Sequence, residues 1–556
     1  MKISPLQKAR NEYQPKTPTI LTQEPNKVTV KYREDSAGNN PSEGVKALFP
    51  LTFNSKSVEF IEGENSSADT PRNVAVILSG GQAPGGHNVI IGILDGLKAA
   101  SKDSKLFGFR NGPGGILADN CVELTSESVA PFRNTGGFDM IGSGRTKLES
   151  REQFEKTVKV FEERGITALV VIGGDDSNTN AGLLAEYLAD IGSKIQVIGV
   201  PKTIDGDLKN EQIEVSFGFD TATKTYSELI GNIARDSNSA KKYWHFIRLM
   251  GRSASHIALE CALQTCPNIC LIGEEVAEKG LTLDSIVETI VSTIVERSKQ
   301  GKDYGLVLLP EGLIEAIPEM NTLIGELNTL LSEDEDYFST LTTFEDQAEW
   351  VNRRLSRDSS YVFSTLPNEI QRQLLMDRDP HGNVQVSRIE TEELLVDMAA
   401  TAIRERKSRG EFDGKFSSLT HFFGYEGRCA FPSNFDADYC YALGRTTALL
   451  IQNNLHGYIA TVKGLAGEAS EWSPGGAPLS QMMNLERRHG KDKPVIKKAL
   501  VEISGAPFRA FAAQRESWAL ETAYRYPGAI QYYGPGEVCD ATSITLQLEQ
   551  GRSSAM

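Results

Sequence analysis

ALVVIGGDDSNTNAG, residues 168–182, sets the architecture of this chain. Its first half is an unbroken apolar run ending in glycines, the pattern of a strand buried on both faces of a parallel sheet. Its second half opens a helix. Strand, glycine turn and helix make one arm of a βαβ unit, and glycines in such a turn let backbone N–H groups come close to an anion. Yet Asp175 and Asp176 follow directly on Gly173 and Gly174. A loop suited to phosphate carries two negative charges, and any function assigned to it has to account for both.

The same pattern recurs on either side. NVAVILSGG (from Asn73) runs into the amphipathic NVIIGILDGLKAA, and SKLFGFRNGPGG, FDMIGSGRTK and IQVIGVPKTIDGD repeat the strand-to-turn theme. Strands alternating with helices predict a parallel sheet, with ligands outside the carboxyl ends of the strands, where these polar motifs fall. A second series, YWHFIRLMGR, CPNICLIGEE and YGLVLLPEGL, with SIVETIVSTIVERSKQ between, predicts a second sheet. The expected fold class is α/β: two Rossmann-like parallel-sheet domains facing each other, with a helical insertion and an N-terminal extension. The boundaries are 1–72 for the extension, which is polar and irregular and lies on the surface or at a subunit contact; 73–218, with part of 429–556, for the first domain; 219–428 for the second, with a charged helical insertion at about 316–405; and 429–556 for a region packing back on both.

Composition narrows the function classes. A chain of 556 residues has material for roughly two to four domains. The formal net charge of −16 argues against nucleic acid and anionic membrane as partners. No apolar run reaches the ~18–20 residues needed to span a bilayer, and the N-terminus has no apolar signal core. Seven cysteines are too sparse for a disulfide framework, and the spacing of Cys261, Cys266 and Cys270 is not that of a zinc site; buried thiols in a reducing cytoplasm are expected.

Three motifs carry chemistry. SGGQAPGGHN (79–88) joins a strand to a helix without the Lys-Ser/Thr of a Walker loop or the spacing of a dinucleotide site, so alone it reads equally as a tight turn or an anion site. GGDDS (173–177) pairs backbone amides with a carboxylate, which makes sense at a phosphate site if one aspartate holds Mg2+, an ion that takes one or two carboxylates plus substrate phosphates. PKTIDGD (201–207) places Asp205 and Asp207 about a glycine; DGD by itself is an ordinary Asx turn, but Lys202 and Thr203 just upstream strengthen a catalytic reading.

In this order the motifs resemble the phosphofructokinase family, and among it the pyrophosphate-dependent members of the long subfamily. The segments are SGGQAPG, GGDDS, TIDGD, GFDTA (218–222), MGR (250–252), PEG (310–312) and GYEGR (424–428), over roughly residues 73–450. The resemblance implies a first domain that binds pyrophosphate, a second that binds fructose 6-phosphate, and transfer of a phosphoryl group to the 1-hydroxyl of the sugar. By it, Asp205 is the general base, Asp207 helps place metal or base, Asp175 holds Mg2+, and Gly81 and Arg145 meet the pyrophosphate, with Lys147 a weaker candidate. Thr203, Ile204, Asp205, Met250, Gly251, Arg252, Glu311, Tyr425, Glu426, Gly427 and Arg428 meet the sugar phosphate, where ATP-dependent relatives have histidine in place of Tyr425. Lys242 and Tyr243 complete the sugar-phosphate site of a neighbouring subunit, which implies a homodimer or homotetramer.

ATP-dependent members have glycine where Asp176 and Lys202 stand. A carboxylate at 176 repels a nucleotide α-phosphate; two unit charges at ~4 Å cost about 4 kcal/mol at an effective dielectric near 20. Lys202 fills the vacated space and neutralises the leaving phosphate. Both sides of such a reaction hold two phosphoryl linkages of modest energy, so it serves glycolysis and its reversal. The alternatives are an ATP-dependent 6-phosphofructokinase and a non-catalytic regulatory subunit; the second should lack the base or the metal ligand, and both are present.

Overall fold

The computed structural model describes residues 3–33, 43–376, 384–488 and 491–552. The chain divides into two compact units: residues 1–225, 425–499 and 530–550 form one, and residues 226–424, 500–529 and 551–556 the other.

The first unit is built on a ten-stranded sheet. Nine strands run side by side in the order Val28–Tyr32, Val58–Glu62, Ser473–Pro478, Tyr458–Lys463, Gln196–Pro201, Ala168–Gly173, Asn73–Ser79, Lys105–Phe109 and Cys121–Leu124, and the short Ser143–Gly144 pairs with the end of Asn73–Ser79. The centre is parallel, with Ala168–Gly173 bonded to Asn73–Ser79 on one side and to Gln196–Pro201 on the other. Every residue of Ala168–Gly173 and of Gln196–Pro201 is buried, as their apolar runs require of strands covered on both faces. Phe154, Phe161, Leu184, Leu188 and Ile459 pack over this centre in one core.

Residues 1–72 correct the expectation of an irregular surface extension. Their described residues contain two α-helices, Pro5–Glu12 and Glu43–Leu48, and two antiparallel strands, Val28–Tyr32 and Val58–Glu62; the second of these strands pairs with Ser473–Pro478 and so lengthens the main sheet. The alternation of VEFIE, with Val58 and Phe60 buried, is that of a strand covered on one face. Arg10 is fully buried, donates to Asn434 Oδ1 (2.8 Å) and the Pro432 carbonyl, and lies over the rings of Tyr13 and Tyr532, so a cation and not an apolar side chain anchors the helix. This helix is polar in sequence because its partners supply acceptors and π faces rather than hydrocarbon.

The second unit carries a four-stranded parallel sheet in the order Ile269–Cys270, Gly305–Pro310, Trp244–Leu249, Ser418–Phe423. Residues 318–408 are largely helical, but they are not an appendage. Met320, Leu323, Trp350, Phe363, Ile370, Leu394 and Ile403 share one apolar core with Trp244, Phe246 and Val307 of the sheet. A buried ion pair reinforces it: Arg248 Nε lies 2.6 Å from Glu392 Oε2, with the guanidinium over the Phe422 ring. Among the described residues no helix is long and apolar enough to cross a membrane. All seven cysteines are unbridged, and Cys261, Cys266 and Cys270 are buried.

Candidate active site

At the carboxyl end of the central strands of the first unit, three loops are tied to one another. The helix Asp175–Asp190 begins at Gly174, so Asp175 and Asp176 occupy its first turn, where the helix dipole favours negative charge. Asn178 reaches back to fix the turn, donating to the carbonyls of Gly173 (2.6 Å) and Gly174 (3.0 Å). Ser177 Oγ donates to Ser79 Oγ at 2.8 Å, joining GGDDS to SGGQ, and the Lys202 amide donates to the Gly173 carbonyl at 3.0 Å, joining it to TIDGD. Ser79 opens SGGQ and Ser177 closes GGDDS, but the sequence pairs neither with the other; that pairing follows from neighbouring strands far apart in the sequence, and Asn178 lies just outside the motifs.

Lys202 is buried, at 6% exposure, and its ammonium lies beside Gly80, 3.2 Å from where a β-carbon there would stand. Burial pushes its pKa down to about 8; Asp205 and Asp175 act against that, while Arg428 and Arg145 add to it. These influences bring Lys202, Asp205, Asp175, Arg428 and Arg145 into one electrostatic neighbourhood. Arg145 is exposed, and so is available to an anion, whereas Lys147 is 3.6 Å from Glu149. In the TIDGD loop the Asp205 amide donates to Thr203 Oγ1 at 3.1 Å, Ser216 Oγ donates to the Thr203 carbonyl at 3.0 Å, and Ile204 is buried. The loop is thereby held rigid around Asp205.

Asp175 is three-quarters buried. Desolvation raises its pKa, Lys498 acts the other way, and Asp176 and Asp207 raise it further. A buried carboxylate of this kind is relieved by a cation. The donor set, Asp175 with Asp207 nearby, suits a hard cation that takes oxygen ligands from one or two carboxylates. Lys498 carries no motif and gives no signal in the sequence; it follows the antiparallel strands Met483–Arg488 and Lys491–Ile496, about three hundred positions from Asp207.

Of the GYEGR residues, Tyr425–Arg428 form a single helical turn in which Gly427 is buried and Tyr425 is 71% exposed. Arg428 turns toward the SGGQ loop. Its Nη2 donates to Gln82 Oε1 at 2.5 Å, and a β-carbon on Gly81 would stand 2.6 Å from that nitrogen. A β-carbon on Gly81 would thus displace the end of the Arg428 side chain from the loop. The GFDTA segment is structural. Asp436, buried, accepts from the Gly218 amide, the Thr221 amide and Thr221 Oγ1.

In the second unit, Met250–Arg252 and Glu311 sit at the carboxyl ends of neighbouring parallel strands, where Leu249 is in register with Pro310. The Gly251 amide donates to Glu311 Oε2 (3.2 Å), and Glu311 is 6% exposed while Arg252 is exposed. Gly251 has a φ of +129°, and it is this left-handed backbone that turns its amide to the carboxylate. Lys242 and Tyr243 precede the same strand at its amino end, so the six-residue strand, about 20 Å long, separates them from Met250–Arg252 of their own chain.

Comparison with known proteins shows the family. The phosphofructokinase family model matches residues 73–365. The pyrophosphate–fructose 6-phosphate 1-phosphotransferase of Treponema pallidum is 54% identical over all of this chain and 98% of its own length, and that of Porphyromonas gingivalis is 55% identical over 99% of this chain and all of its own. The pyrophosphate-dependent phosphofructokinase of Nitrosospira multiformis, 18% identical, superposes with a TM-score of 0.52 over 78% of this chain and 86% of its own, which is a likeness of fold. The chain belongs to the phosphofructokinase family and, within it, groups with the pyrophosphate-dependent phosphotransferases.

Proposed function

We propose that this protein transfers a phosphoryl group reversibly between pyrophosphate and the 1-hydroxyl of D-fructose 6-phosphate, giving phosphate and fructose 1,6-bisphosphate. The observation that carries the donor assignment is the placing of Asp176 and Lys202 around Asp175. The carboxylate stands in the first turn of the helix, and the ammonium is buried beside Gly80. That arrangement leaves room and charge for a small inorganic diphosphate and repels the inner phosphate of a nucleotide.

Phosphoryl transfer asks a protein mainly to position and to stabilise charge. Asp205 takes the proton of the 1-hydroxyl as that oxygen bonds to phosphorus, and the bond from phosphorus to the bridging oxygen breaks. Lys202 and Arg145 meet the charge that gathers on the departing phosphate, and Arg428, which the resemblance gives to the sugar phosphate, turns to the SGGQ loop and meets it too. Gly81 keeps its loop clear for Arg428. Asp175, with Asp207 near it, would hold Mg2+, and phosphate and water oxygens would supply its other ligands. Bound there, the ion neutralises pyrophosphate charge. Thr203, Ile204, Tyr425, Glu426, Gly427 and Arg428 are assigned to the sugar phosphate on the first unit, and Met250, Gly251, Arg252 and Glu311 on the second, with Arg252 and Arg428 suited to bidentate phosphate contact and Glu311 to sugar hydroxyls. Lys242 and Tyr243, a strand's length from Met250–Arg252 of their own chain, are assigned to the site of a neighbouring copy, which makes the working enzyme a homo-oligomer. The cytoplasm and a place in glycolysis and its reversal go with this reading.

The experiment is a donor comparison on purified protein at equal Mg2+, with fructose 6-phosphate as acceptor. Turnover with pyrophosphate and negligible turnover with ATP is expected. Substantial ATP turnover would overturn the donor assignment, and no turnover with either would favour a non-catalytic subunit.

A further inference from the structure

Lys498 joins two carboxylates that the motifs place on different loops. Its Nζ is 3.7 Å from Asp175 Oδ2 and 3.7 Å from Asp207 Oδ2. The backbone is pinned on both sides of it: the Ile496 amide donates to Thr179 Oγ1 at 3.1 Å, and the Ala499 amide donates to the Asp207 carbonyl at 2.7 Å. Asp207 is 6% exposed, and Asp175 Oδ2 belongs to a side chain at 24%. A lysine whose main chain is clamped onto the same helix and loop that carry its two partners is not an incidental surface ion pair, which would have two mobile ends.

The arrangement poses a charge problem. Asp176 and Asp207 both disfavour the ionised form of Asp175, and Asp205 stands near Lys202. A divalent cation alone would be drawn strongly to such a group, and metal held without its substrate would offer nothing to react. An ammonium shared between Asp175 and Asp207 cancels part of that attraction. When the cation arrives with pyrophosphate, the anion compensates the same ammonium, and the penalty is removed.

We propose that Lys498 is a positioning residue that sets the charge of the donor site, so that the Asp175–Asp207 pair takes its divalent cation together with pyrophosphate rather than before it. This rests on the reading of Asp175 as metal ligand and pyrophosphate as donor. Neutralising the residue then shifts two properties in opposite directions: free metal binds more tightly and pyrophosphate more weakly. A residue that only held the fold together would weaken both.

The test uses the full chain, with Mn2+ as probe, its free concentration read by electron paramagnetic resonance in the absence of pyrophosphate. Lys498→Met and Lys498→Gln should bind Mn2+ at least about fivefold more tightly than the parent, a discounted figure for a partly exposed charge at this range. Lys498→Arg, which keeps the charge, should stay near the parent. In parallel, KM for pyrophosphate should rise by about fivefold or more in the neutral variants, with KM for fructose 6-phosphate unchanged. Mn2+ affinity equal to or weaker than the parent's in both neutral variants, or an unchanged KM for pyrophosphate, would overturn the proposal. If Lys498→Met fails to fold, the pair Lys498→Gln and Lys498→Arg decides by charge alone. Adding Asp175→Asn to Lys498→Gln should abolish the tightened site. If the double variant binds Mn2+ as well as the single one, the metal assignment of Asp175 fails while the effect of Lys498 stands.

Discussion

Arg428 occupies the space that a side chain on Gly81 would need: Nη2 lies 2.6 Å from the position of a β-carbon there and holds Gln82 Oε1 at 2.5 Å. Gly81→Ala therefore pushes a guanidinium away from the donor loop while leaving the core untouched. KM for pyrophosphate should rise by about tenfold or more, since displacements near 1 Å at a reacting centre cost up to two orders of magnitude. The thermal midpoint should stay at the parent value. Steady-state kinetics with scanning calorimetry checks both; an unchanged KM would show that Arg428 does not serve the donor.

Donor selection is tested by replacing the two residues that distinguish this loop from its ATP-dependent relatives. Asp176→Gly with Lys202→Gly removes the repulsive carboxylate and the buried ammonium together. Pyrophosphate-dependent kcat/KM should fall by at least about a hundredfold, the usual scale for losing one oriented charge in a site of this kind. ATP-dependent turnover, negligible in the parent, should become measurable. Unchanged kinetics with pyrophosphate would refute the assignment of both residues.

Lys242 and Tyr243 give a prediction about assembly. Each precedes the strand whose far end carries Met250–Arg252, and in the proposed reading they act on the sugar phosphate of a second copy of the chain. Lys242→Ala and Asp205→Asn should each be nearly inactive, Asp205→Asn by a factor of ~10²–10⁴ as for loss of a general base. Mixed and reassembled, the two should recover activity, because one site in a mixed pair combines an intact Asp205 with an intact Lys242. Activity of the mixture no greater than that of the separate variants would remove the shared-site reading.

The legible parts of the molecule were those with local signals. Apolar runs ending in glycine marked Ala168–Gly173, Gln196–Pro201 and Asn73–Ser79 as central strands, because a strand buried on both faces has nowhere to put a polar residue. The motifs placed Asp175, Lys202 and Asp205 together because each ends or follows one of these neighbouring strands. What stayed hidden was carried by distant partners. The N-terminal strands have too little hydrocarbon to declare themselves, and their edge pairing with Ser473–Pro478 joins segments about four hundred residues apart. Lys498 has no pattern around it; its meaning comes from the two carboxylates it touches.

The helical stretch of the second unit is tied to the sheet by Arg248 and Glu392, both about 6% exposed. Burial raises the Glu392 pKa, and Arg248 acts against it. Removing one partner leaves the other charge buried, so Arg248→Met should destabilise the protein by about 3–5 kcal/mol. The double variant Arg248→Met with Glu392→Leu should recover most of that loss, since no orphaned charge remains. Denaturant unfolding distinguishes the two; a double variant less stable than the single one would mean that the pair holds the helices by more than charge.

Asp436 sets a pH dependence. It is fully buried, and desolvation together with Asp220 raises its pKa to about 7, against the pull of its bonds from Thr221 and Gly218. In the folded chain it keeps its proton where the unfolded chain, with an ordinary aspartate near pH 4, has lost it. The native state therefore binds more protons than the unfolded state between about pH 4 and pH 7, and stability from this group is lost as pH rises through that window. Asn at this position cannot ionise and keeps one acceptor oxygen. Asp436→Asn should accordingly cost more stability at pH 5 than at pH 8, with the gap from the parent closing steadily between them. Thermal unfolding of parent and variant across that range measures it; a gap that stays level from pH 5 to pH 8 would mean that Asp436 is ionised throughout and that its three hydrogen bonds from Gly218 and Thr221 outweigh its burial.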